Sequence, residues 1–168
     1  GHPYNWTVIG DLEDLQAATL ADVKEFYEKY YGANNTTLVI AGDIDIVETK
    51  KLVEKWFGEI RRGSVIEPLS PMPVSLKETR SLYYEDNFAK LPELRMVYPT
   101  IESYHDDSYA LQVLGEILSG SKESPLYKVI VEEKKLAPSI YAGSNPSEIA
   151  GEFAVVVRAN AETDLDSV

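Results

Sequence analysis

The sequence predicts an α+β domain, a two-layer unit with helices packed on one face of a mainly antiparallel sheet. Two observations carry that expectation. Helical and strand-like segments follow one another as α-β-α, a linker, then β-β-α-α-β-β, so that strands come in pairs and helices in pairs. The chain has 168 residues, 44% of them hydrophobic and 26% charged, which suits a single domain over 1–168 that buries its own core.

Each element has a local reason. Thr19 followed by Asp22 supplies an N-cap with an acid in the first turn. Leu20, Val23, Phe26, Tyr27, Tyr30 and Tyr31 then recur at helical spacing and Gly32 stops the run, so a helix is expected over about 20–31. "TTLVIA", residues 36–41, reads as a strand ending in the acid-bearing turn Gly42-Asp43-Ile44-Asp45. Asp45-Ile46-Val47-Glu48 starts a second helix in the manner of a capping box. Its apolar stripe is Leu52, Val53, Trp56, Phe57 and Ile60, and Gly58 ends it.

Residues 61–78 carry three prolines without a clean period and read as an extended connection. "RSLYYED" and "ELRMVYP", bounded by Pro92 and Pro99, read as two strands. Asp106 or Asp107 should cap a third helix bearing Tyr109, Leu111, Val113, Leu114, Ile117 and Leu118. "SGSKES" is a loop, and Ser124-Pro125 opens a fourth helix with cap and N1 proline in place. "SIYAG" and "EFAVVVRA" form a hairpin across the polar turn Ser144 to Gly151.

Composition removes several function classes. Without cysteine there is no disulfide framework, thiolate zinc site or cysteine nucleophile. A formal net charge of −12 argues against binding a nucleic-acid backbone, which needs clustered Lys and Arg. No apolar run approaches the roughly 20 residues that span a bilayer. The start at Gly1-His2-Pro3 and the stop at "AETDLDSV" suggest a domain cut from a longer protein.

No candidate site assembles a chemistry. Asp43, Asp45 and Glu48 lack further metal ligands at suitable spacing, and one glycine does not make a dinucleotide fingerprint. Gly42 as a permissive turn and Asp45 as an N-cap explain the stretch. His2 and His105 are the only histidines, and no His-Glu-x-x-His or His-x-x-Glu-His motif is present. The acid–His–acid cluster around His105 reads as a solvated cap. Ser119, Ser121 and Ser124 lie in a loop with no G-x-S-x-G elbow. Glu132 and Glu133 are adjacent on a helix and point apart. Tyr27, Tyr30 and Tyr31 at helical spacing read as the rim of an amphipathic core.

The order of motifs nevertheless resembles the insulinase or mitochondrial-processing-peptidase (pitrilysin-like) family of zinc metallopeptidases. The landmarks are His2-Pro3-Tyr4, Tyr30-Tyr31, Asn34-Asn35, Gly42-Asp43, Phe57-Gly58 and the stretch "YALQVLGEILSGSKESPLYKVIVEEKKLAPSIYAG". They cover nearly the whole chain and place it as the second, non-catalytic domain of one half of such an enzyme. The resemblance implies a processing-peptidase-like α+β unit. It also implies a preceding domain in which zinc activates water and a Glu is the general base. The partners it implies are that domain, a second half or subunit, and a peptide held in the enclosed chamber.

The zinc motif is absent here, so the resemblance carries no catalytic residue and no metal ligand onto the chain. The family's non-catalytic half often presents an Arg and a Tyr to substrate. Alignment on Leu136 puts Val131 and Pro138 at those positions, which favours the zinc-bearing half. The alternative is a domain of a catalytically dead structural or assembly subunit. A periplasmic or cell-envelope location suits many relatives, though no residue of this chain bears on it.

Overall fold

In the computed structural model, which describes residues 1–168, the chain divides into two compact units, Gly1–Pro68 and Leu69–Val168.

The first unit is helical. α1 (Leu12–Ala17) begins where the Asp11 carboxylate accepts the Glu13 N–H at 2.8 Å. α2 (Leu20–Tyr30) closes a reciprocal capping box. Asp22 Oδ2 accepts from Thr19 N at 2.8 Å, and Thr19 Oγ1 accepts from Asp22 N at 3.3 Å. α3 (Ile46–Phe57) is capped by Asp45, whose Oδ1 accepts the Glu48 N–H at 2.8 Å, and it stops at Gly58. A 3-10 turn, Ala33–Asn35, follows α2.

Gly32 is the one buried residue of this unit. A Cβ there would collide with the backbone of Gly63, so the two glycines let the chain pass within contact. Asn34 holds that crossing by accepting Gly63 N at 2.6 Å and donating to Ser64 O at 3.0 Å.

The second unit contains the sheet. β1 (Glu93–Thr100) precedes α4 (Ser108–Ser119), α5 (Pro125–Tyr127) and one wider π-type turn, Lys128–Glu133. β2 (Ile140–Pro146) and β3 (Gly151–Arg158) form the hairpin that the sequence implied, closed by Ser147 N donating to Ala150 O at 2.9 Å. The strand order is β1-β3-β2, antiparallel throughout, with Met96 and Ala142 both opposite Val155.

That register sorts the two faces. Leu94, Met96, Val155, Val157, Ile140 and Ala142 share the side that α4 covers. Leu111 and Leu118 of α4 and Leu126 of α5 pack on Ala142, Phe153 and Val155. Ile130, Ala137 and Val157 form a second cluster with Leu136, Ile140 and Val168. Full burial of side chains such as Val157 stabilises by about 1.5–3 kcal/mol each, which makes the central strand β3 the main contributor. The other face carries the ion pairs Arg158–Glu93 at 2.9 Å and Arg95–Glu152 at 2.8 Å. Exposed pairs of this kind add only about 0.2–1 kcal/mol each.

The α+β architecture with helices on one sheet face is therefore present, but several expected details are not. Residues 36–41 and 80–86 form no strand. β-branched and aromatic side chains favour an extended backbone, whereas a strand also needs a ladder partner, and neither segment has one. Thr36 does enter extended, at φ −123° and ψ 134°. The apolar stripes of α2 and α3 are not a core rim: Phe26, Tyr27, Tyr31, Leu52, Trp56 and Phe57 are all exposed, because this unit folds no second layer over them. Asp107 occupies the N-cap position of α4 without a side-chain bond, and its backbone is helical at φ −72° and ψ −6°, whereas a capping residue is typically extended.

Candidate functional site

The turn at the end of the 36–41 segment is a helix start. Gly42 adopts φ +148°, a conformation that L side chains rarely reach, and Asp45 spends its carboxylate on the α3 cap. Asp43, Asp45 and Glu48 do not converge.

Both histidines serve local backbone. His2 Nδ1 accepts the Tyr4 N–H at 3.1 Å and opens a 3-10 turn. His105 Nδ1 accepts the Asp107 N–H at 3.1 Å, so the Asp107 carboxylate 3.7 Å away does not receive a proton from that nitrogen. No three His, Asp or Glu side chains gather into a group able to hold a metal ion.

The three serines are fasteners between elements. Ser119 Oγ accepts the Ala142 N–H at 2.8 Å, joining the last turn of α4 to β2. Ser124, 5% exposed, accepts Ser121 N at 3.1 Å and donates to Glu116 O at 3.3 Å. Ser121 shares its hydroxyl with Ser124 at 3.3 Å. None of the three has a histidine partner among these bonds. Glu132 and Glu133 are exposed on the π-type turn.

The stretch from Lys128 to Pro138 holds the two positions that the family resemblance singles out. Val131 is half-buried and Pro138 exposed, and neither offers a hydrogen-bonding side chain. The turn is held at both ends. Lys128 Nζ pairs with Glu123 Oε2 at 2.5 Å; the bond holds the Glu123 carboxyl below its ordinary range and pushes the Lys128 ammonium up. Downstream, Lys135 turns into the left-handed region at φ 53°, and its carbonyl accepts from Asn160 Nδ2 at 2.8 Å. Sequence reasoning missed Asn160 and the Lys135 turn, because glycine, the usual flag for φ > 0, is absent there.

In the first unit the exposed apolar side chains border a groove of roughly 490 Å³ lined by Leu38, Ile40, Ile44, Ile46 and Val53, with Lys50 and Glu54 at its polar side. A cleft of this size lies within the range of ligand pockets.

These side chains tie together a fold of helices over an antiparallel sheet through serine bonds, histidine bonds and helix caps. Residues 17–168 match the Peptidase M16 inactive domain, and the chain belongs to that family. It is 30% identical over 146 residues to the Zinc protease PqqE of Helicobacter pylori, covering 84% of this chain and 32% of the relative. It is 26% identical over 157 residues to the Probable inactive metalloprotease YmfF of Bacillus subtilis, covering 89% of this chain and 34% of that protein. The crystal structure of a protease from Helicobacter pylori superposes with a TM-score of 0.68 at 23% identity, over 99% of this chain and 41% of that one. The chain thus spans about a third of the length of these curated relatives. No helix is long and apolar enough to cross a membrane.

Proposed function

We propose that the chain, 1–168, is the single non-catalytic domain of one half of a larger zinc metalloendopeptidase. In that enzyme it forms part of the wall of a peptide-enclosing chamber. It packs on a preceding domain that carries the zinc and all of the ligands, and a second half or subunit closes the chamber. The membership in the Peptidase M16 inactive domain family carries this reading. The relative named as a zinc protease, three times the length of the matched region, supports a catalytic portion elsewhere. The exposed apolar side chains of α2 and α3 supply surface that another layer would bury. With a net charge of −12, the wall would favour basic or neutral peptides at low salt.

The test uses the full-length parent protein. It should contain one equivalent of zinc and cleave unstructured peptides. Deleting the region that corresponds to this chain should abolish cleavage while the remaining portion keeps its zinc. Zinc content lost together with this region would refute the assignment of the ligands.

A second reading, a domain of a catalytically dead structural or assembly subunit, is favoured by one observation: a relative of similar coverage is named a probable inactive metalloprotease. A parent protein that is folded but holds no zinc and cleaves nothing would select it.

A further inference from the structure

α4 starts at a turn in which one ring nitrogen has two partners on a single residue. His105 Nδ1 accepts the Asp107 N–H at 3.1 Å, and Asp107 Oδ2 lies 3.7 Å from the same nitrogen. Accepting at Nδ1 places the proton of the neutral ring on Nε2. A protonated ring carries N–H at both nitrogens and can no longer accept there. The Asp107 carboxylate then becomes its partner, after a movement of roughly 1 Å to charge-assisted bonding distance.

The surroundings favour a cation at this position. Residues 96–121 contain no Lys or Arg. The ionisable groups of the elements that meet here are Glu102, Tyr104, Asp106 and Asp107 in the loop, Tyr109 in the first turn of α4, and Glu148 in the β2–β3 turn. Ser103 N ties the loop to that turn by donating to Ser147 O at 2.8 Å. Against these acids stands the positive N-terminal end of α4. The loop is also strained. Tyr104, directly before the histidine, sits at φ 66° and is wholly exposed. A bulky residue keeps that left-handed conformation only where its surroundings enforce it. Three bonds do so: Ser103 to Ser147, Ser108 N to His105 O at 3.0 Å, and the Asp107 N–H to the His105 ring. The last alone depends on a group that titrates near neutral pH.

We propose that His105 is an acid-sensitive latch on the start of α4. The neutral ring holds the Asp107 amide; the imidazolium turns to the Asp107 carboxylate and releases that amide to solvent. Charge-assisted hydrogen bonds are about twice as strong as neutral ones, so the change of partner is favourable once the proton is on. Asp107 O also accepts Leu111 N at 3.0 Å, the bond that opens α4. A shift of Asp107 therefore reaches the helix start, and the loop that presents Tyr104 leaves its left-handed turn.

The test is a nuclear magnetic resonance titration of the full chain from about pH 8 to about pH 5.5, a range in which ordinary carboxylates stay largely ionised. At the upper end the His105 ring should be the Nε2–H tautomer. On acidification the Asp107 amide resonance should shift with the same midpoint as the His105 ring carbons. Its hydrogen exchange, corrected for intrinsic pH dependence, should quicken at least roughly tenfold. Asp107→Asn keeps the amide and removes the charged partner, so the ring midpoint should fall by at least about 0.5 pH unit. In His105→Phe the Asp107 amide should not titrate in this range. An Nδ1–H tautomer at the upper end, an Asp107 amide that stays fixed while His105 titrates, one that still titrates in His105→Phe, or an unchanged midpoint in Asp107→Asn would each overturn the latch.

Discussion

The Ser119 hydroxyl accepts the Ala142 backbone N–H at 2.8 Å, so the end of α4 stands in for a neighbouring strand at the outer side of β2. Ala142 is 4% exposed, and no water can replace that partner. Ser119→Ala therefore leaves a buried donor unpaired, which costs about 1–3 kcal/mol. Thermal melting should shift down accordingly. An unchanged melting temperature would show that the bond contributes nothing.

Gly115 lies one turn earlier on the same helix and faces the same strand. A Cβ there would meet Ala142 O at 2.8 Å and Gly143 Cα at 3.2 Å. Alanine gains about 1 kcal/mol of helix propensity over glycine. Forcing α4 off β2 costs about 1–3 kcal/mol, so Gly115→Ala should be neutral to destabilising by up to about 2 kcal/mol. A denaturant midpoint that rises would contradict this contact.

Lys135 is a position where the opposite change should help. Its φ of 53° is left-handed, which costs a non-glycine residue about 1–2 kcal/mol. Glycine removes that cost and adds back part of it as unfolded-state entropy. Lys135→Gly should stabilise by about 0.5–1 kcal/mol, read as a higher urea midpoint at unchanged slope.

The capping box of α2 gives a pH dependence. Two hydrogen bonds from Thr19, through its hydroxyl and its N–H, hold the Asp22 carboxyl below its ordinary range. A carboxyl depressed on folding contributes stability that is fully present above its unfolded pKa, about 3.9, and is lost as pH falls through the lower folded value. Helical circular dichroism should therefore weaken on acidification below about pH 4 more in the native chain than in Asp22→Asn. Equal acid profiles would remove the assigned role of Asp22.

Much of this arrangement was legible because its causes are local. Thr19 and Asp22 fix the start of α2, Asp45 the start of α3, and the polar run after Ser144 the hairpin. The short helix Leu12–Ala17 carried a usable signal too, Asp11 followed by Glu13 and Asp14, which sequence reasoning passed over. What failed depends on partners distant in sequence. Residues 36–41 and 80–86 have strand propensity, but propensity does not create the neighbouring strand. The role of Ser119 could not be read because its partner lies 23 residues away. For the candidate site, the turn at Gly42-Asp43-Ile44-Asp45 was correctly read as a cap from spacing alone. Asn34, a family landmark in the sequence, gained a physical role only when its side chain was seen holding the Gly32–Gly63 crossing.

The proposed role, support of a zinc peptidase by a domain that supplies none of its metal ligands, is open to one direct measurement. Isothermal titration of the purified chain with zinc at neutral pH tests it most directly. The account predicts no stoichiometric binding and no change on substituting either histidine. Tight 1:1 zinc binding that disappears in His105→Ala would contradict it.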